Sequence, residues 1–230
     1  MIDIVIATGN RHKFRELTAL LPVRGVRYHS LSEFPSIPPV RERGRTFEAN
    51  AIKKAKAVAR ATGLLALADD SGIEVEALGW TPGVKSARFA GRHGDDAANN
   101  AKLLALLAHL PMARRRARYR CVLALAGLRR IVITTGTWTG RIANAAEGAR
   151  GFGYDPLFIA PGTGMTVGRL PAAMKQRLSH RAQAARRMGR VVRNLAEASG
   201  RTSLGANRSA RERAVSGPRR ARIRIGSAAP

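Results

Sequence analysis

Two adjacent aspartates close an apolar run, Leu64-Leu65-Ala66-Leu67-Ala68-Asp69-Asp70-Ser71-Gly72. The run has the composition of a buried strand, and Gly72 after the acids ends it. This order predicts two carboxylates side by side at the strand's C-terminal mouth. Like charges that close repel, and something must offset the cost. A divalent cation is a common answer, because Mg²⁺ takes carboxylate oxygens and phosphate oxygens together. Glu42 lies in a loop just before the helix that carries Asn50 and Lys54, and one more carboxylate there could join Asp69 and Asp70. A solvated Asp-Ser-Gly turn and an unrelated loop glutamate would show the same residues, so the acids alone do not decide.

Three other stretches carry groups suited to a nucleotide. Ile6-Ala7-Thr8-Gly9-Asn10-Arg11-His12-Lys13 reads as strand, turn and helix start. Backbone N–H groups at such a helix start hold anions, and a lysine one turn in adds a point charge. The stretch lacks the spacing of a Walker P-loop and is equally a plain strand-to-helix turn. Gly151-Phe152-Gly153-Tyr154-Asp155-Pro156 sets two aromatics between glycines, either a base-stacking platform or a core-facing turn. Asp155 and the backbone there could read a purine edge. Lys175 and Ser179-His180-Arg181 gather near a helix start, where they could hold phosphate or base, or simply form a basic helix end. The remaining histidines, His12, His29, His93 and His109, show no metal-ligand spacing with one another or with Cys121.

The elements that must position these groups alternate. Residues 2–7 form a β-prone run, 13–21 have helical apolar spacing, and 46–62 are an alanine-rich helix closed by Gly63. The 64–68 strand follows, with 73–78 as a hairpin partner across Ser71-Gly72. A helix is expected from Asp95 to Leu107, with strands at 118–126 and 131–139 around a tight turn at 127–130. A short strand at 157–159 precedes a last helix at 179–198. Interleaved strands and helices give an α/β class, and the hairpins make the sheet mixed rather than purely parallel.

The chain has 230 residues and a net charge of +26. That balance favours polyanions without choosing among nucleotides, nucleic acids and anionic surfaces. The basic residues are spread out with few aromatics among them, which argues against dedicated nucleic-acid binding. Cys121 is the single cysteine, so no disulfide forms within the chain, as suits a reducing cytoplasm. No stretch approaches the roughly 18 apolar residues of a membrane span, and the first residues lack a signal-peptide pattern. From Ser199 the chain is rich in Arg, Ser, Gly, Ala and Pro, and residues 199–230 are expected to be a disordered basic tail after a domain of residues 1–198.

Taken together, Thr8-Gly9-Asn10…Lys13, Thr46-Phe47…Asn50-Ala51…Lys54-Ala55, Asp69-Asp70-Ser71-Gly72, Pro82-Gly83-Val84…Ser86-Ala87-Arg88, Gly151 to Pro156 and Ser179-His180-Arg181 resemble the inosine/xanthosine triphosphate pyrophosphatase family. The resemblance covers residues 1 to about 195, in order and at fitting spacing. It implies an elongated mixed α/β sheet flanked by helices, two lobes with a central cleft, and a homodimer. It implies hydrolysis of ITP, dITP and XTP to the monophosphate and pyrophosphate, with one Mg²⁺ per subunit or Mn²⁺ in its place. Asp70 matches the family's proton acceptor and metal contact, and Glu42 and Asp69 match acidic metal-site positions. Thr8, Gly9, Asn10, Arg11, His12, Lys13, Lys54 and Ser71 match the triphosphate cradle. Phe152, Gly153, Tyr154, Asp155, Lys175, His180 and Arg181 match the purine and sugar contacts. The chain departs from the family at Ala49, Arg169 and Met174, where acids are usual, and at Ala182, where glycine is usual. A pyrophosphatase for other modified nucleotides and a non-enzymatic polyanion binder are the competing readings.

Overall fold

The computed structural model describes residues 1–127 and 130–215, with side chains described through residue 200. The strands are β1 (Ile2–Ile6), β2 (Val26–Ser30), β3 (Leu65–Val75), β4 (Thr81–Pro82), β5 (Arg116–Ala126), β6 (Ile131–Ile142) and β7 (Phe158–Ile159). The α-helices are α1 (Arg11–Leu20), α2 (Phe47–Thr62), α3 (Asp96–Leu107), α4 (Ala172–Leu178) and α5 (His180–Val215). Among the described residues the strands form one mixed sheet in the order β2-β1-β3-β5-β6-β7, with β4 paired to the end of β3. β1 runs parallel to β2 and β3, and the β3–β5, β5–β6 and β6–β7 pairs are antiparallel.

The expected mixed α/β class with helices on the sheet is what forms, but β3 differs from the sequence reading. It does not stop at Ala68. It pairs with β5 without a break from Ala66↔Ala126 to Val75↔Ala117. The residues expected to turn at Ser71-Gly72 are the middle of a strand, and no hairpin forms there. β2 and α4 have no counterpart in the sequence reading. α5 also runs on past residue 198 to Val215, and the rest of the expected basic tail, 216–230, lies outside the described residues.

Three packed clusters explain the shape. Ile4, Ile6, Leu67, Leu123 and Leu125 face α1 and α5 through Leu17, Leu21, Met188 and Val192. Val5, Ala66, Ala68, Val122 and Ala124 face α2 through Phe47, Ala51, Ala55 and Val58. These faces alternate along each strand, as the two-residue period of a strand requires. The third cluster lies further along the same long strands, where Ile73, Val75, Tyr119 and Trp138 pack with Leu103, Leu107, Tyr154 and Phe158. Two lobes thus share β3 and β5, and the segment Asp69 to Gly72 crosses between them.

The helix ends follow local chemistry. Asn10, Thr46 and Asp95 cap α1, α2 and α3 with their own side chains. α2 buries Phe47, Asn50, Ala51, Lys54, Ala55, Val58 and Ala59, a one-sided stripe at helical spacing. Two members of that stripe are polar, Asn50 and Lys54, and both sit in the half of the helix nearest the lobe crossing. Among the described residues no helix is long and apolar enough to cross a membrane.

Candidate active site

The crossing from Asp69 to Gly72 puts polar side chains on both faces of β3. Asp69 is fully buried on the α1–α5 face. Its Oδ1 meets Lys13 Nζ at 2.6 Å and accepts from Ser71 Oγ at 2.7 Å. Its Oδ2 accepts from Arg181 Nε at 2.8 Å and Cys121 Sγ at 3.3 Å. Burial would raise this carboxyl, but the Arg181 and Lys13 charges hold it well below the usual range.

Asp70 lies on the α2 face, 6% exposed. Lys54 Nζ donates to Asp70 Oδ1 at 3.0 Å, Glu42 Oε1 at 3.2 Å and the Asp69 carbonyl at 2.8 Å. Burial pushes the Asp70 carboxyl up to about 6, against the pull of Lys54 and Lys13 and with added push from Glu42. Glu42 moves the other way: burial would raise it, and the Lys54 charge brings it below the usual value. Asp70 Oδ2 is buried with no partner. An orphaned carboxylate oxygen beside a second carboxylate fits a hard, oxygen-seeking cation.

The expected gathering of Glu42, Asp69 and Asp70 around one point does not form. Glu42 and Asp70 share the α2 face, whereas both Asp69 oxygens are taken on the other. No group of three or more His, Cys, Asp or Glu side chains suited to a metal exists among the described residues. Lys54 is likewise reassigned. An ammonium has three N–H donors, and all three go to Glu42, Asp69 and Asp70, leaving none for a phosphate. Burial would lower Lys54, but Asp70 and Glu42 raise it, so it remains a fixed cation between the acids.

From Ser71 a cleft opens between the lobes, enclosing about 670 Å³, part of it open to solvent. Asn10, Lys13, Ser71 and Gly72 form its floor, with Phe152, Gly153, Tyr154 and Asp155 on one wall. Lys175, His180 and Arg181 also line it, and Ser86, Ala87, His93, Gly94, Asp96 and Tyr119 complete it. Gly72 is dictated by close approach: a Cβ there would meet Ser86 Oγ and come within 2.6 Å of the Gly83 carbonyl. Ser86 Oγ accepts from Ile73 N at 2.9 Å, which fastens the 3₁₀ turn Gly83–Arg88 to the edge of β3 opposite β5.

The α1 start is less open to anions than its sequence implies. Asn10 Oδ1 accepts from His12 N at 2.8 Å and Lys13 N at 3.1 Å, and Thr8 Oγ1 accepts from Asn10 N at 3.2 Å. Gly9 and Arg11 are exposed beside them. The His12 ring stacks on Phe152 with centroids 5.2 Å apart and planes at 18°. His12 thus joins the α1 start to the aromatic Phe152. Lys13 keeps free donors, since its one ion pair is to Asp69.

At the aromatic end, both Asp155 oxygens already have partners. Its Oδ2 accepts from Phe152 N at 2.9 Å and Lys175 Nζ at 2.6 Å, and its Oδ1 accepts from Tyr119 Oη at 3.2 Å. Burial raises its carboxyl despite the Lys175 charge. Lys175 also pairs with Glu16 at 2.7 Å and lies 4.6 Å from the Phe152 ring centroid. Arg181 Nη1 reaches Glu16 Oε2 at 2.5 Å, and its Nη2 donates to Ser71 Oγ at 2.8 Å. A chain of alternating charges, Lys13–Asp69–Arg181–Glu16–Lys175–Asp155, therefore runs behind the cleft. Glu16 was missed in the sequence, although it sits one turn after Lys13 on the same helix face. His180 is the exception to this pairing. It stacks on Tyr119 at 4.6 Å and 9°, and its buried Nδ1 has no partner. Burial and the Arg181 charge keep the ring neutral.

Residues 4–191 match the sequence model of the Ham1 family. The chain belongs to the Ham1 family. It is 48% identical over 195 residues to the dITP/XTP pyrophosphatase of Desulforamulus reducens, covering 84% of this chain and 97% of that one. It is 45% identical over 203 residues to that of Geobacillus kaustophilus, covering 88% and 100%. A solved HAM1 protein from Coxiella burnetii superposes with a TM-score of 0.77 at 39% identity, covering 84% of this chain and 98% of that one. A nucleoside-triphosphatase, dITP/XTP pyrophosphatase, from Mycobacterium abscessus does so with 0.66 at 41% identity, with the same coverage. This Ham1 chain accommodates its unusual residues locally. Arg169 pairs with Glu147 at 3.3 Å on the surface, Met174 packs on the second lobe's core, and Ala182 is fully buried.

Proposed function

We propose that this chain hydrolyses deaminated purine nucleoside triphosphates, ITP, dITP and XTP, to the monophosphate and pyrophosphate. The observation that carries the reading is two orphaned buried atoms, Asp70 Oδ2 on β3 and His180 Nδ1 in a ring that lines the cleft. One suits a cation and a water at the phosphates, and the other suits a base edge. The names of the relatives, dITP/XTP pyrophosphatases, fit both.

Asp70 receives the proton of the water that attacks the α-phosphorus. A carboxyl at about 6 is mostly ionised at neutral pH yet basic enough to take a proton. Lys54 fixes its orientation through Oδ1 and leaves Oδ2 to act. Glu42 and Asp70 are the donor set for the divalent cation, Mg²⁺ or Mn²⁺, and an ionised carboxylate has lone pairs enough for a cation and a proton. When bound, the cation neutralises charge on the phosphate oxygens. Lys13 holds the departing pyrophosphate with the donors that Asp69 leaves free. The charge is developing on oxygen at that moment, so a fixed ammonium there lowers the barrier without reorganising.

Selectivity lies at the purine 6-position. Inosine and xanthosine carry an oxygen acceptor where adenine carries an amino donor. A neutral His180 with its Nδ1 protonated donates to the oxygen and is left unpaired by adenine, a loss of about 1–3 kcal/mol. Phe152, with His12 stacked on it, supplies the flat apolar contact. The protein acts as a homodimer in the cytoplasm on this reading, with residues 1–198 as the catalytic domain. A pyrophosphate-release assay with ITP, XTP, GTP and ATP, with and without Mg²⁺, tests it. Release from ITP and XTP only with Mg²⁺ supports the proposal, and equal rates on ITP and ATP reject it.

A further inference from the structure

The first turns of α3 touch both walls of the cleft. Asp96 Oδ2 accepts from Gly153 N at 2.7 Å, and Asn100 Nδ2 donates to the Gly153 carbonyl at 3.0 Å. Gly153 sits between Phe152 and Tyr154 with φ +64°, so its peptide groups turn outward, where two side chains can grip both. Asn99 points the other way. Its Oδ1 accepts from Ala90 N at 2.7 Å and its Nδ2 donates to the Ala87 carbonyl at 3.4 Å, on the wall that carries Ser86 and His93. The walls also meet directly, where Tyr154 Oη donates to the Ser86 carbonyl at 2.8 Å.

We propose that Asp96, Asn99 and Asn100 form a bracket that sets the separation of the cleft walls, and so act as positioning residues for purine binding. The inference rests on the reading of Phe152 and Tyr154 as the base end of the cleft. Asn100 supplies a second line of argument. Its Oδ1 is buried without a partner, because satisfying the Gly153 carbonyl fixes which way the amide faces. An acceptor left unpaired inside a protein weakens the fold. A residue chosen only for packing at this helix position would be apolar. Asp96 lines the cleft as well, so its carboxylate holds the aromatic wall from within reach of the ligand. No step of the chemistry touches the bracket. It changes where the base sits and makes no hydrogen bond to Asp70, Glu42 or Lys54.

The test is steady-state kinetics with ITP on full-length N100A, D96A and D96N, with thermal melting of each. The bracket predicts that N100A and D96A raise KM for ITP about tenfold while kcat stays within twofold. D96N, which keeps an oxygen for the Gly153 N–H, returns KM to within about threefold of the parent. An unchanged KM in both N100A and D96A overturns the bracket, and so does a fall in kcat with KM constant. If the parent itself fails to hydrolyse ITP, the underlying reading of the site fails instead.

Discussion

Asp69 and Asp70 are consecutive on β3, yet their carboxylates serve opposite faces of the sheet. Asp69 is bound by Lys13 and Arg181, and Asp70 by Lys54 with Glu42 alongside. One acid has both oxygens paired and the other keeps an orphaned oxygen, although the sequence presents them as equals.

Their removal should therefore have different consequences. Asp70→Asn keeps the shape and one acceptor for Lys54 but cannot take a proton, so turnover should fall by about 10²–10⁴ with little change in melting temperature. Asp69→Asn leaves Lys13 and Arg181 short of a buried countercharge, a loss of roughly 3–5 kcal/mol of stability. Turnover and urea unfolding on the two variants separate the roles. Equal stability loss in both would contradict the division.

Cation binding should weaken at unusually high pH for a carboxylate site. Burial raises Asp70 to about 6, so a proton competes with the cation from there downward. An acid raised by folding costs stability as pH climbs from its unfolded value, about 4, and the cost is complete above about 6. A bound cation removes that cost. Added Mn²⁺ should thus raise the melting temperature more at pH 7.5 than at pH 5.5, and Mn²⁺ titrations followed by electron paramagnetic resonance should show the same order. A shift independent of pH would place the cation elsewhere.

Lys54→Met should act through its neighbours. Without the ammonium, Asp70 and Glu42 face each other as like charges, and the Asp70 carboxyl rises further. The acidic limb of the pH–rate profile should move up by about one unit or more. A variant that lowers the rate equally at every pH would reduce Lys54 to a packing role.

Much of this site was legible in the sequence, and the failures share a cause. The apolar run ends at Ala68 because beyond it β3 leaves one hydrophobic lobe for the cleft. Asp70, Gly72 and Glu74 occupy the face that would otherwise be apolar, so the strand signal lapses where the strand continues. Once β3 is taken to end there, both aspartates appear to project together. Lys54 and Asp155 were read as ligand contacts because a sequence shows charge but not how many donors are already used. The cleft residues Tyr119 and Asp96 come from elements with no motif of their own. Caps were easier: Thr46 with Gly63, and Asp95 at α3, mark helix ends through local chemistry that needs no partner.

His180→Ala should relax base choice. The ring lines the cleft and has one buried nitrogen without a partner, and its loss should cut kcat/KM for ITP by about 10–100-fold while leaving the slow reaction with ATP nearly unchanged. Competition between the two substrates measures the ratio directly. An undiminished preference for ITP would move the selectivity to another group.

The central claim is that water, deprotonated by Asp70, attacks the innermost phosphorus. Hydrolysis of ITP in ¹⁸O-labelled water, with the products resolved by mass spectrometry, tests it most directly. The label should appear in the monophosphate alone, with unlabelled pyrophosphate released in equal amount. Label in pyrophosphate, or inorganic phosphate as the first product, would contradict the account.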